Sequence, residues 1–223
     1  MKQTLFITGT DTGVGKTVLT ALLARFLCGR RLAVAAFKPI CSGGRSDALV
    51  LQAALAGLMS LDEINPWHFR APIAPLLAAR LERKSVLLAQ VIAHIRVTQK
   101  KSAVTLVEGA GGLLSPLGED FDSLDLLFAL RAKPVIVAAN RLGAMNHVLL
   151  SLAVLPEKSR QQACVVFMTP QKPDAATAAN TKLLGEFFPA EKILTLPWLG
   201  KNFDPATVLR QPQVRRILRK LTA

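Results

Sequence analysis

The sequence contains no tyrosine and only two tryptophans in 223 residues. Ala, Val and Leu must therefore fill the interior, which suits helices packed on a buried parallel sheet. Acid is also scarce: 15 Asp and Glu face 28 Lys and Arg, a net charge of +13. That excess favours anionic partners such as nucleotides, acidic metabolites or nucleic acid. The densest basic cluster is Arg210, Arg215, Arg216, Arg219 and Lys220. No aromatic residue interleaves with it, so it lacks the stacking platform of a single-strand binder and reads as a solvated helix face. The three cysteines, Cys28, Cys41 and Cys164, form no CxxC or Cys/His ligand spacing. Neither a disulfide framework nor a zinc site is indicated, and a reducing compartment is favoured. No apolar run is long enough to span a bilayer, and no signal-peptide pattern precedes the strand-like Thr4-Leu5-Phe6-Ile7. The expectation is a cytoplasmic enzyme with no membrane partner.

What is present is an alternation. Short apolar runs at 5–8, 32–37, 104–107, 135–139, 163–167 and 193–196 read as strands. Between them, helical patterns cover 18–27, 47–56, 73–83, 86–99, 123–131, 146–155 and 177–187. This order predicts parallel pairing with right-handed crossovers. The expected fold is α/β, a P-loop NTPase-like three-layer sandwich with a mostly parallel central sheet, as one domain over residues 1–223. Ligands then bind beyond the carboxyl ends of the strands.

The strongest motif is Gly9-Thr10-Asp11-Thr12-Gly13-Val14-Gly15-Lys16-Thr17, between a strand and a helix. Glycines let backbone N–H groups converge on a phosphate, and the following helix offers its positive dipole end. Lys16 can reach the β and γ phosphates, and the Thr17 hydroxyl can ligate Mg²⁺. One position departs from the general G-x-x-x-x-G-K-[ST] pattern, which has glycine where this chain has Thr10.

Val104-Thr105-Leu106-Val107-Glu108-Gly109-Ala110-Gly111-Gly112 reads as a buried strand ending in an acid and a glycine-rich turn. A carboxylate there can hold Mg²⁺ or its water shell. Ser46-Asp47 opens a helix, with Ser46 as N-cap and Asp47 favouring the dipole by ~0.5 kcal/mol. Phe37-Lys38-Pro39-Ile40-Cys41-Ser42-Gly43-Gly44 ends another strand. Lys38 should emerge at the same edge as Lys16, a second cation for charge that develops during phosphoryl transfer.

Taken together, GTDTGVGKT, FKPICSGG, SDAL, NPWHF with the prolines after it, VEGAGG, LGAMNH and LPWL resemble the dethiobiotin synthetase family, in family order over residues 5 to 204. The resemblance implies ATP-dependent closure of a cyclic urea on 7,8-diaminononanoate with CO₂, through a carbamate and a carbamic-phosphoric anhydride. It implies that Gly13, Val14, Gly15, Lys16, Thr17 and Val18 wrap the phosphates, and that Gly109, Ala110 and Gly111 lie alongside. Thr17, Asp47 and Glu108 would approach Mg²⁺. Lys16, Lys38 and Thr12 would be catalytic, with Thr12, Lys38 and Ser42 also at the diamine. Pro197, Trp198 and Leu199 would line the nucleotide side, with Asp204 near the ribose. Gly143, Ala144 and Asn146 match the segment through which a neighbouring subunit holds the substrate carboxylate, implying a homodimer. Family members commonly carry an adenine-reading Asn after the strand near 165, where this chain has Val166-Phe167-Met168-Thr169-Pro170. Base preference is thus left open.

Two rivals share the nucleotide fold. A ParA/MinD-like switch ATPase, binding nucleic acid or membrane, would carry a signature lysine at position 11, where this chain has Asp11. An amide-forming ligase of the cobyrinate type would need an ammonia source, for which the chain up to Ala223 is expected to have no room.

Overall fold

A computed structural model of the chain describes residues 2–201 and 203–223. Eight strands are present among them: β1 (Gln3–Gly9), β2 (Val34–Phe37), β3 (Ile40–Ser42), β4 (Trp67–Phe69), β5 (Val104–Glu108), β6 (Lys133–Ala139), β7 (Cys164–Met168) and β8 (Ile193–Leu196). Six form the central sheet in the order β2-β5-β1-β6-β7-β8, with every pairing parallel. β5 is buried along its whole length and β1 along most of it, as expected of strands covered by helices on both faces.

The helices are α1 (Lys16–Cys28), α2 (Ser46–Ala54), α3 (Leu61–Ile64), α4 (Pro75–Leu81), α5 (Leu88–Gln99), α6 (Ser123–Ala129), α7 (Ala144–Ala153), α8 (Glu157–Gln162), α9 (Ala175–Leu184), α10 (Pro205–Val208) and α11 (Pro212–Leu221). α1 packs against β1, β2 and β5 and carries α2, α10 and α11 beside it; α5 meets α6, and α7 meets α9. Arg215, Arg216, Arg219 and Lys220 of the basic cluster occupy the outer face of α11, whose Val214, Ile217, Leu218 and Leu221 are buried, and Arg210 precedes the helix. With its apolar stripe committed to the core, this helix is a solvated charged surface, as its composition suggests. No helix of the described residues is long and apolar enough to cross a membrane.

All six expected sheet strands form. The pattern did not reveal β3 and β4, which are three residues each and pair in parallel apart from the main sheet, Cys41 opposite His68. Runs that short carry no periodicity to read. Ser46 is not an N-cap: Arg45 takes that position and Ser46 is the first helical residue. Arg45 is held there by its guanidinium, which donates to the Leu61 and Asn65 carbonyls and to Asp62. Asp47 does lie in the first turn of α2.

The parallel sheet fixes where chemistry can occur. The chain leaves β1 toward the β2 side and later continues from β5 to β6 on the other side of β1, so the strand order reverses next to β1. A crevice beyond the strand ends is expected at such a reversal.

Candidate functional site

A cavity of about 730 Å³ opens at that edge. Its floor is the loop from β1 to α1. Gly9 has no room for a side chain: a Cβ would lie 2.6 Å from the Asp11 carbonyl oxygen and 2.8 Å from the Lys16 ammonium. Thr10, at the usual glycine position, is not among the residues with positive φ, so its backbone does not require glycine. The Thr10 N–H donates to the Val137 carbonyl and ties the loop to β6. Gly15, at φ 100°, adopts a left-handed conformation that favours glycine and caps α1.

Among the described residues α1 has no side-chain cap and no acid in its first turn. Its N-terminal N–H groups and dipole are therefore unneutralised, the condition for anion binding. By contrast, Asp122, Asp174 and Asp204 cap α6, α9 and α10 with their carboxylates. α7 also starts on a left-handed glycine, Gly143, with no side-chain cap and no acid in its first turn among the described residues.

The walls hold buried charge. Lys38, only 4 % exposed, donates from Nζ to Glu108 Oε1 at 2.8 Å and to the Gly109 carbonyl at 2.8 Å, with Asp47 Oδ2 at 3.4 Å. The Thr17 hydroxyl donates to the same Glu108 oxygen at 2.7 Å. Glu108 Oε2 is buried and has no partner among the described residues. The Lys16 ammonium is held across the loop by the Asp11 carbonyl at 2.8 Å.

The two lysines differ electrostatically. Burial, together with the charge of Lys38, lowers the Lys16 pKa to about 8, against the pull of Glu108 and Asp47. Burial would also lower that of Lys38, but Glu108 and Asp47 outweigh it and raise the pKa above the ordinary lysine value. Lys38 is thus a permanent cation, and Lys16 is near its titration point. Cys41 lines the cavity between them, and burial pushes its thiol up to about 12, so it is an inert neutral wall.

Lys38 is positioned by a residue that sequence reasoning missed. Asn65, fully buried, donates its amide to the Lys38 carbonyl at 2.7 Å, and the Lys38 N–H donates to the Ile64 carbonyl. Arg45 Nε in turn donates to Asn65 Oδ1 at 3.2 Å. A lone Asn between a short helix and a strand carries no sequence signal for such a role.

Of the expected site residues, Thr12, Gly13, Gly15, Lys16, Thr17 and Val18 line the cavity on one side. Lys38, Ser42, Asp47, Ala110 and Gly111 line the other. Glu108 and Gly109 reach it through their bonds to Lys38, and Val14 is buried in the loop beneath. The Pro72–Pro75 segment and Ser115-Pro116 complete the wall. Pro197, Trp198, Leu199 and Asp204 are not among the lining residues, nor are Gly143, Ala144 and Asn146. Asp204 donates nothing and accepts from Ala206 and Thr207, so its carboxylate is committed to capping.

The donor set fits a hard divalent ion. It offers a hydroxyl and two carboxylates, one of which leaves a buried oxygen unpartnered, and all are oxygen donors. No group of three or more His, Cys, Asp or Glu gathers among the described residues, so the protein alone makes no metal cage. An ion here would depend on phosphate and water oxygens, which is how Mg²⁺ is usually held.

Known proteins resemble the chain over most of its length. A family model described as an AAA domain matches residues 3–205. A protein of Anaeromyxobacter dehalogenans named ATP-dependent dethiobiotin synthetase BioD is 37% identical over 199 residues, covering 87% of this chain and 89% of the relative. A Bacillus subtilis protein of the same name is 33% identical over 212 residues, covering 92% and 89%. Among solved structures, pNOB8 ParA bound to nonspecific DNA matches with a TM-score of 0.60 at 14% identity, covering 100% of this chain and 98% of that one. A ParA family ATPase from Chlorobium tepidum TLS matches at 0.56 and 12%, covering 100% and 96%. At that identity the likeness concerns the fold alone.

Proposed function

The chain belongs to the ATP-dependent dethiobiotin synthetase family, and from that premise we propose that residues 1–223 act as one ligase domain that closes a cyclic urea on 7,8-diaminononanoate at the cavity described above. One substrate amine takes up CO₂ as a carbamate. A carbamate oxygen attacks the γ-phosphate of ATP, the bond to the β-phosphate oxygen breaks, and ADP leaves. The second amine then attacks the carbamoyl carbon, phosphate departs, and the amine proton passes to solvent.

Little covalent work falls to side chains in such a transfer, so positioning and charge neutralisation carry it. Gly13 to Val18 hold the phosphates through backbone N–H groups, with Gly109, Ala110 and Gly111 along the far side. Lys16 exchanges the Asp11 carbonyl for a phosphate oxygen. Lys38 presents a fixed cation to the carbamate and the transferring phosphoryl group. Thr12 and Ser42 meet the diamine. Thr17, Asp47 and Glu108 would hold Mg²⁺, which would neutralise phosphate charge when bound. The single observation carrying this reading is the buried Lys38 ammonium, fixed by Glu108, Gly109 and Asp47 beside an uncapped phosphate helix.

The reading includes a homodimer. It is supported by the uncapped α7 N-terminus at Gly143, Ala144 and Asn146, which suits a substrate carboxylate. Leu142 and Leu150, 80% and 58% exposed, flank it with apolar surface that a second subunit would cover. Pro197, Trp198 and Leu199 take the nucleotide side, and Asp204 serves there through the helix it caps.

The test is direct. Protein, diaminononanoate, bicarbonate, Mg²⁺ and ATP should yield ADP and the cyclic urea by mass spectrometry. ATP hydrolysis that is indifferent to the diamine and yields no urea would end this reading.

A further inference from the structure

A second, smaller cavity of about 330 Å³ opens at the other edge of the sheet, where the strands begin. It lies between the starts of β1 and β5 and the carboxyl ends of α5 and α6. Its lining includes three cations, Lys2, Lys100 and Arg131, and no acid.

The floor departs from what a covered parallel sheet predicts. Such strands read as nearly continuous apolar runs. Here Thr4 and Thr105 stand side by side in register, on the face that α5 covers. Gln99 of α5 donates its amide to Thr4 Oγ1 at 2.9 Å. That bond uses an acceptor lone pair of Thr4 and leaves its hydroxyl proton to be donated. Thr105 is only 1 % exposed, lines the cavity, and makes no side-chain hydrogen bond among the described residues. Burying a hydroxyl without a partner costs about 1–3 kcal/mol, so a partner arriving through the cavity would recover part of that.

The rim is equally rich in donors. Lys2 Nζ donates to the Lys100 carbonyl, and Arg96 donates to the Ala129 carbonyl at 3.3 Å. These bonds occupy carbonyls at the ends of α5 and α6, whose partial negative charge of roughly half a unit each would otherwise oppose an anion. The Lys100 ammonium and the Arg131 guanidinium are exposed and enter no ion pair among the described residues. Two full charges therefore remain at the mouth of a cavity whose floor offers two hydroxyl protons.

We propose that this cavity binds a small oxyanion of the phosphate class, at a site separate from the phosphate loop. The planar fork of Arg131 matches two oxygens of such an anion, Lys100 adds a point charge, and Thr4 and Thr105 donate from below. The volume lies at the low end of ligand cavities and suits a free phosphate or a short phosphorylated metabolite. The site is independent of the ligase chemistry, because it lies across the sheet from Lys38 and Glu108.

Calorimetric titration tests this. The full chain, with the phosphate loop filled by Mg²⁺ and a non-hydrolysable ATP analogue, is titrated at fixed ionic strength with inorganic phosphate and, separately, with glycerol 3-phosphate. Saturable binding of one equivalent per chain is expected, and the tighter of the two probes identifies the source of the anion. Arg131→Ala and Lys100→Ala should each weaken it by about tenfold or more, as loss of a charge-assisted hydrogen bond does. Thr105→Val, which keeps the side-chain shape, should weaken it by about fivefold. Circular dichroism should show the wild-type fold in all three; if Thr105→Val fails to fold, the two exposed variants decide. Absence of saturable binding overturns the proposal. So does an affinity unchanged in Arg131→Ala and Lys100→Ala, which would place the anion on the phosphate loop alone. Weakening in those two with none in a folded Thr105→Val would also overturn it, because diffuse surface charge would then suffice.

Discussion

At the β2-β5-β1 half of the sheet edge, charges are buried against one another; at the β6-β7-β8 half, the buried polar groups are neutral amides and hydroxyls closed on themselves. Glu108 accepts from both Lys38 and Thr17 through one oxygen and leaves the other unpartnered. Asn140, Thr177 and Asn180 are bonded to one another. The first half is incomplete and needs a charged ligand to satisfy it. The second holds no buried charge among the described residues. A triphosphate tail demands fixed countercharge, since its charge redistributes during transfer.

The comparison predicts unequal effects of substitution. Lys16→Ala should abolish urea formation, measured by product mass spectrometry, because no other ammonium sits in the loop. Residual turnover near wild type would place the phosphates elsewhere. Lys38→Ala should raise the barrier by about 3 kcal/mol or more, as loss of one preorganised donor does, read from kcat/KM. Thermal unfolding of the same variant should also fall, because Glu108 is left buried without its cation. Full activity in that variant would remove Lys38 from the chemistry. In the other half, Asn180→Ala leaves Asn140 Oδ1 without its donor and should cost about 1–3 kcal/mol in stability by denaturant titration. Its kcat should stay unchanged; a large loss of kcat would erase the distinction between the halves.

A pH series sharpens the contrast at smaller cost to the protein. The Lys16 pKa is depressed to about 8, so the free protein loses this cation as pH rises through that value. Lys38, raised above its ordinary value, stays charged throughout. Nucleotide affinity should therefore fall by about tenfold between pH 7 and 9, the expectation for one proton required for binding. Affinity that is flat over that range would mean the Lys16 charge does not matter to binding.

Much of the charged half was legible in the chain. Gly13, Gly15, Lys16 and Thr17 are contiguous, and Glu108 and Lys38 each end a readable apolar run, so strand direction alone sends them to one edge. Asp47 reads by itself as a helix-start acid, and only the family resemblance assigns it to the metal. The amide network was not legible. Asn140, Thr177 and Asn180 lie up to 40 residues apart, and each is an unremarkable polar residue on its own. The clamp of Asn65 on Lys38 was hidden for the same reason, and Ser46 was misread because a good capping residue type sat one position inside the helix.

What the sequence by itself determined is the parallel α/β frame, the phosphate loop, and the gathering of two ammonium groups and the Glu108 carboxylate at one edge. These follow from local composition and from the geometric rule that parallel strands all point their carboxyl ends the same way. Only the tertiary structure decided which of those groups are buried, which oxygen of Glu108 is left without a partner, and that Lys16 and Lys38 have opposite pKa shifts. Burial and pairing are properties of neighbours brought together across tens of residues, and no local run of amino acids encodes the dielectric around a charge.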